Sequence, residues 1–254
     1  MADPAPALPP ALLPRGRGPR PARRADAVLD GLLEQIVAGE LAPGSPVPTE
    51  PMLVEAYGVS RTVVREAVKL LEQKGLVTAR QGIGTLVSPQ DHWNLLDTEV
   101  LAAIVRHDEE YEVLDQLISV RTALESQMAA DAARLATEED LRELSELMRE
   151  LDGLVRTPER MDDVDVAFHE RIMLASGNQL GRAIVRTVHA EARRSQRYSG
   201  HSTPSLRRQS NRQHQAILAA IAAGEAERAA ELMTQHITES WKRRRPGDAA
   251  RRTC

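Results

Sequence analysis

Four side chains in this 254-residue sequence have the types and spacing to hold a cation. Asp165 and His169 stand four residues apart in Asp165-Val166-Ala167-Phe168-His169, which on a helix puts a carboxylate and an imidazole on one face. His214 and His236 sit midway along two later helical patterns. Facing helices of a bundle can bring such side chains to one point, and one oxygen with three imidazole nitrogens suits a borderline divalent ion. Spacing alone is a weak warrant, because a histidine in an amphipathic helix is more often a surface or packed residue. His92, His107, His189 and His201 are read that way. A second pair suggests different chemistry. Arg61 and Arg65, four apart near a helix start, can present guanidinium groups to base edges while the first backbone N–H groups meet a phosphate.

The elements around Arg61 and Arg65 fit that use. Ser60 is a suitable N-cap, and Val63, Val64, Ala67, Leu70 and Leu71 repeat at helical spacing. After Gly75, residues 76–80 read as a strand, Gln81-Gly82-Ile83-Gly84 as a turn and Thr85-Leu86-Val87 as the return. Upstream, 25–38 is predicted helical with Val28, Leu32, Ile36 and Val37 on one stripe. A turn region spans Pro43 to Pro48, and Thr49 starts a second helix over Met52, Leu53 and Tyr57. Helix, turn, helix, recognition helix and β-wing make a winged helix-turn-helix over residues 25–88.

The wording of this stretch resembles the GntR family of bacterial transcription regulators. The matching runs are Gly39-Glu40-Leu41-Ala42-Pro43-Gly44, Pro48-Thr49-Glu50, Gly58 to Ala67, Leu71 to Val77 and Gly82-Ile83-Gly84-Thr85. The resemblance implies that Arg61 and Arg65 read guanine in the major groove, that Ser60 and Thr62 hold phosphates and that Gly82 enters the minor groove. Many members carry an arginine where this chain has Pro51, so a weaker or altered DNA contact is expected there.

Length leaves room for a second domain with its own core. The net charge of −4, with five basic against eight acidic side chains over 25–90, looks awkward for a DNA binder. What matters is the face where Arg61, Arg65, Lys69 and Arg80 gather. Aromatic residues are only 2% of the chain, which argues against base stacking and hence against single-strand or RNA binding. One cysteine, Cys254, excludes disulfides within the chain, and the absence of a secretory signal or membrane-length apolar run makes a cytoplasmic location the expectation. Residues 1–24, rich in Pro, Ala and Arg, and residues 244–254 are expected to be a disordered basic tail and a basic C-terminal tail.

From 89 to 243 the pattern is wholly helical, and seven helices predict an antiparallel bundle, giving a mainly α protein with one small β-wing. The second helix, 112–135, is expected to bury Val113, Leu117, Val120, Leu124 and Met128. Thr137 and Thr157 are expected caps. This region is similar to the FCD ligand-binding domain of the FadR branch of the same family, through Arg121 to Glu125, Asp165 to His169, Gly177-Asn178-Gln179-Leu180, His214 to Ile221 and Met233 to His236. The resemblance implies a divalent cation on Asp165, His169, His214 and His236, with zinc favoured and nickel or manganese also fitting. It points away from members that lack these ligands and bind fatty acyl thioesters.

A small carboxylate effector would complete the coordination sphere, with Arg121 as a second clamp or, equally, as a partner of Glu125. Trp93-Asn94-Leu95-Leu96-Asp97 resembles members that regulate hexonate catabolism, favouring sugar acids, with lactate, glycolate or dicarboxylates behind. The expectation is a repressor, a homodimer on a palindromic operator of double-stranded DNA, released when the effector's bias passes through a linker at 88–91. The alternatives are a metal-sensing repressor without organic effector and a metal-dependent hydrolase using Glu170 or Glu125 as base. No HExxH, phosphate loop or nucleophile elbow supports the hydrolase.

Overall fold

In the computed structural model, which describes residues 21–194 and 203–245, the chain divides into two units, the first ending at Asn94. Helix α1 (Pro21–Val37) buries Ala25, Val28, Leu29, Leu32, Leu33 and Ile36, a three-and-four stripe laid on α3. It begins at Pro21, so the last four residues of the expected N-terminal tail are helical; residues 1–20 lie outside those described. Helix α2 (Glu50–Tyr57) follows Thr49, whose side chain makes no capping bond, and Gly58 ends it at φ 61°. Helix α3 (Arg61–Gln73) starts at Ser60, whose Oγ accepts from Val63 N at 3.4 Å, and buries Val63, Val64, Ala67 and Leu71.

Strands β1 (Val77–Arg80) and β2 (Gly84–Val87) pair antiparallel, Val77 opposite Val87 and Arg80 opposite Gly84, so a three-residue loop carries Gly82. The stretch expected to be only a turn at 43–48 also pairs along β2. Gly44 N donates to Val87 O at 2.8 Å, Val87 N to Ser45 O at 2.9 Å and Val47 N to Thr85 O at 2.9 Å. Its prolines hide that strand from propensity reading. Residues 88–94, which include the linker expected at 88–91, fold back on the same unit. Trp93 is buried with Nε1 donating to Ser88 O at 3.2 Å, and Asn94 N donates to Lys74 O at 2.9 Å.

The second unit is helical throughout its described residues: α4 (Thr98–His107), α5 (Glu112–Leu135), α6 (Glu138–Gly153), α7 (Pro158–Ala175), α8 (Gln179–Arg194), α9 (Pro204–Ala222) and α10 (Ala226–Arg244). Helix α5 is central, packing on α10, α8, α7 and α9 around Leu114, Leu117, Ile118, Met128, Phe168, Ile172, Ile217 and Ile237. Its buried face differs from the expected one: Val120 is 42% exposed, whereas Arg121 and Glu125 are buried. Their charges satisfy each other inside the core, so apolar periodicity misplaced the stripe. Thr137 and Asp140 form a reciprocal capping box on α6, while Thr157 makes no side-chain cap ahead of Pro158. The expected fifth helix to Tyr198 is described to Arg194. Arg244 closes α10 and Arg245 caps it, leaving 246–254 of the expected C-terminal tail outside the described residues.

Candidate metal centre and DNA-reading helix

Helix α3 presents Arg61, Thr62, Arg65 and Lys69 on its exposed face because the opposite face is spent on α1 and α2. Ser60 satisfies one of the helix's first N–H groups, leaving others at the N-terminus directed outward. Arg65 is not idle: its Nε donates to Glu50 Oε1 at 3.0 Å, across from the start of α2, with side chains 73% and 43% exposed. So open an ion pair is weak, and a phosphate or base edge can replace it. Gly82, exposed at the wing tip with φ 77°, adopts a backbone conformation that lets the loop approach another surface closely.

The three imidazoles expected to act together do meet. His169 on α7, His214 on α9 and His236 on α10 are all buried, with Nε2 of His236 lying 3.3 Å from Nε2 of His169 and 3.0 Å from Nε2 of His214. Two nitrogens held about 2.1 Å from one ion are separated by roughly 3.0–3.4 Å, so this spacing is that of neighbouring ligands. Asp165, the fourth expected ligand, lies one turn before His169 with Oδ1 3.5 Å from His214 Nε2, but the donors that lie close to one another are the three imidazoles, without its carboxylate.

Protonation sharpens the case. His169 Nδ1 faces Glu125 Oε2 at 2.6 Å, so Nδ1 carries the proton; His236 Nδ1 faces Gln213 Oε1 at 3.2 Å and donates likewise. Assigned from these bonds, Nε2 of both rings turns to the point where Nε2 of His214 also lies, so three ring nitrogens converge on one place. Two of these rings resist taking up a proton. Burial holds His214 down to about 4 although Asp165 opposes it, and burial with the neighbouring imidazoles and Arg121 holds His236 well below the usual histidine range. Burial would raise Asp165, but His214, His169, Arg244 and Arg121 outweigh it and keep the group a carboxylate. Imidazole nitrogens with a carboxylate nearby fit a divalent cation of the borderline class.

Arg121, the expected second clamp, is engaged: Nε donates to Glu125 Oε1 and Nη1 to His189 Nε2 at 3.2 Å. Glu125 thus joins the guanidinium to the His169 ring, and burial, which would raise its carboxyl, is overcome by Arg121 and His169. His189, read as a surface or merely packed residue, is part of this network, and burial and the Arg121 charge hold it well below the usual range. Sequence reasoning also missed Gln213 and Arg244. Gln213 orients His236; Arg244, assigned to a tail, lines a small cavity with Arg121, Asp165, His236, Ser210 and Ser240. The four-residue recurrence His236, Ser240, Arg244 was the available signal. His92 and His107 are exposed as expected, and His201 lies outside the described residues.

Residues 24–87 match the model of the gntR family of bacterial regulatory proteins, and residues 116–239 match the FCD domain. Among curated proteins, the chain is 42% identical over 149 residues to YieP, an uncharacterised HTH-type transcriptional regulator of Escherichia coli strain K12. That match covers 58% of this chain and 65% of YieP, just under two thirds of its length. It is 31% identical to the galactonate operon transcriptional repressor of the same strain, over 61% of this chain and 68% of that protein. It is 30% identical to the transcriptional regulator LutR of Bacillus subtilis strain 168, over 79% of this chain and 91% of LutR. Among solved structures, Lar, which controls expression of the Listeria monocytogenes agr system, superposes with a TM-score of 0.55 at 21% identity, covering 87% of this chain and 95% of Lar.

Proposed function

The chain belongs to the GntR family of bacterial regulatory proteins and is a DNA-binding transcriptional regulator with an FCD effector domain, and we propose that its grip on DNA is governed by a small carboxylate held at a divalent cation among the α7, α9 and α10 histidines. Its family and relatives are transcriptional regulators, not enzymes. The observation that carries the reading is the meeting of three buried imidazoles, with Nε2 of His236 3.3 Å from that of His169 and 3.0 Å from that of His214. His169, His214, His236 and Asp165 hold the cation, zinc first, with nickel or manganese suiting the same donors. Such a cation supplies a Lewis-acidic anchor for a carboxylate oxygen at positions the protein leaves open.

Arg121 lends its positive charge to the same cavity while Glu125 and His189 fix its direction. A sugar acid is favoured, supported by the likeness to a galactonate operon repressor. In the first unit, Arg61 and Arg65 read bases, Ser60 and Thr62 hold phosphates and Gly82 brings the wing to the minor groove. One short helix reads one half-site, so a homodimer on a palindromic operator follows, with the protein acting as a repressor that the acid releases.

The test is fluorescence anisotropy on a duplex selected from a random pool, with metal-loaded and chelated protein and a panel of acids. Release by an acid only when metal is present supports the reading. Affinity that tracks metal concentration with no response to any acid replaces it with metal sensing.

A further inference from the structure

We propose that Glu239, a half-buried carboxylate nearly one turn beyond His236 on α10, is a positioning residue for the cation site: through the side chain of Gln213 it fixes which nitrogen of His236 carries the proton. This rests on the reading above, in which a divalent cation sits among the three imidazoles. The observation is a relay of two hydrogen bonds that leaves the cluster and ends in an open groove between α9 and α10. His236 Nδ1 meets Gln213 Oε1 at 3.2 Å, and Gln213 Nε2 donates to Glu239 Oε2 at 2.6 Å. Gln213, Gln235 and Glu239 all line that groove. Gln213 reaches it because it directly precedes His214 on α9, and neighbours on a helix point about 100° apart.

The direction of the relay follows from what each group can do. A glutamine amide presents an oxygen at one end and N–H donors at the other, and its bonds decide which end is which. An ionised carboxylate only accepts, so Glu239 takes the NH2 end of Gln213 and turns the carbonyl toward His236. That oxygen also only accepts, so Nδ1 of His236 holds the proton and Nε2 faces the other rings as an acceptor. Glu239 is itself held in place: Gln235 Nε2 donates to Oε1 at 2.8 Å, and Arg243 Nη1 lies 3.6 Å from Oε2. The Gln235 bond first, with Gln213, Arg243 and Lys242 and against the opposing effect of burial, holds its carboxyl below the usual glutamate range. The three rings are served unequally. His169 has a carboxylate directly in Glu125, His236 has one through Gln213, and the buried Nδ1 of His214 has no partner among the described residues. A tie between helices would stabilise α9 against α10 without choosing a tautomer, and that difference can be measured.

The test uses the full chain, with zinc affinity read by chelator competition and the His236 tautomer by proton–nitrogen NMR of its ring in the metal-free protein. Glu239→Gln keeps the shape but offers Gln213 an amide that can pair with either of its ends. Zinc affinity is expected to fall about tenfold, and the His236 ring to pass from Nδ1–H to a mixture with Nε2–H. Gln213→Met removes the carbonyl and should cost at least as much, and adding Glu239→Gln to it should cost nothing further. Melting curves without zinc establish that each variant is folded. Glu239 is 34% exposed, so Glu239→Gln alone decides the matter if Gln213→Met does not fold. A folded Glu239→Gln whose zinc affinity or tautomer matches the parent makes the pair a helix tie and overturns the relay, leaving the cation reading standing. An equal loss with and without Gln213 overturns it too, because the charge would then act across space. If the parent binds no zinc, the cation reading itself falls.

Discussion

Glu125 Oε2 accepts the Nδ1 proton of His169 at 2.6 Å while its other oxygen takes Arg121, so one buried carboxylate fixes both the ring and the cation beside it. Partners that orient a metal-bound histidine typically contribute roughly 10–100-fold in metal affinity. Glu125→Gln keeps the shape and removes the charge. Zinc affinity, read by chelator competition, is expected to fall by about that factor. The buried Arg121 left without its anion should lower unfolding stability in urea by roughly 3–5 kcal/mol. Unchanged zinc affinity in a folded variant would refute the positioning role.

Gly75 is where the first unit tolerates no side chain. Its φ is 77°, and a Cβ there would lie 2.1 Å from the carbonyl oxygen of His92. Gly75→Ala therefore strains the backbone and pushes the 88–94 return off the hairpin, and a loss of roughly 2 kcal/mol or more is expected in a thermal melt. Gly39→Ala, at φ 79° with open space around it, should lose less, about 1 kcal/mol. Equal losses at the two positions would show that the 88–94 return adds nothing.

Asp140 links acid stability to the α6 cap. The Thr137 hydroxyl bond, then the Thr137 N–H and Arg171, against an opposing contribution from burial, hold its carboxyl below the ordinary 3.8. A depressed carboxylate stabilises the fold above its unfolded pKa, and that contribution is lost as pH falls through the folded value. Asp140→Asn should lower stability by about 1 kcal/mol near neutral pH. The gap between parent and variant should begin to narrow below about pH 4 and close only once the pH drops beneath the depressed folded value, where the parent has also lost its charge. A gap that stays constant down to pH 2 would contradict this.

The helices of the second unit and the winged order of the first were legible because caps, glycine stops and apolar periodicity all pointed the same way. The three histidines were legible as types and spacing, but only packing could bring α7, α9 and α10 together. What escaped was what periodicity cannot see. Arg121 and Glu125 enter the core as a pair, so the real face of α5 is turned away from Val120, and His189 follows them inward. Residues 43–48 pair with β2 despite their prolines because the pairing uses the N–H groups of Gly44 and Val47, which proline does not remove.

Arg61 and Arg65 share a helix face, and Arg65 rests on Glu50 at 3.0 Å. Arg61→Ala and Arg65→Ala should each weaken operator binding by roughly 1–3 kcal/mol and relax base preference at one position per half-site. Glu50→Gln removes a competitor for Arg65, so its operator affinity should hold or rise. A fall in affinity with Glu50→Gln would instead make Glu50 part of the DNA contact.

The most direct test pairs two measurements on the same zinc-loaded protein: operator affinity by anisotropy and acid binding by calorimetry, each for the parent and for His236→Ala. The parent should bind a six-carbon sugar acid and lose at least about tenfold in operator affinity when it does, a coupling near 1.4 kcal/mol. His236→Ala should keep the operator and ignore the acid. An acid that binds the parent tightly while operator affinity stays the same, or that releases the variant as readily as the parent, would contradict control of DNA binding from the histidine site.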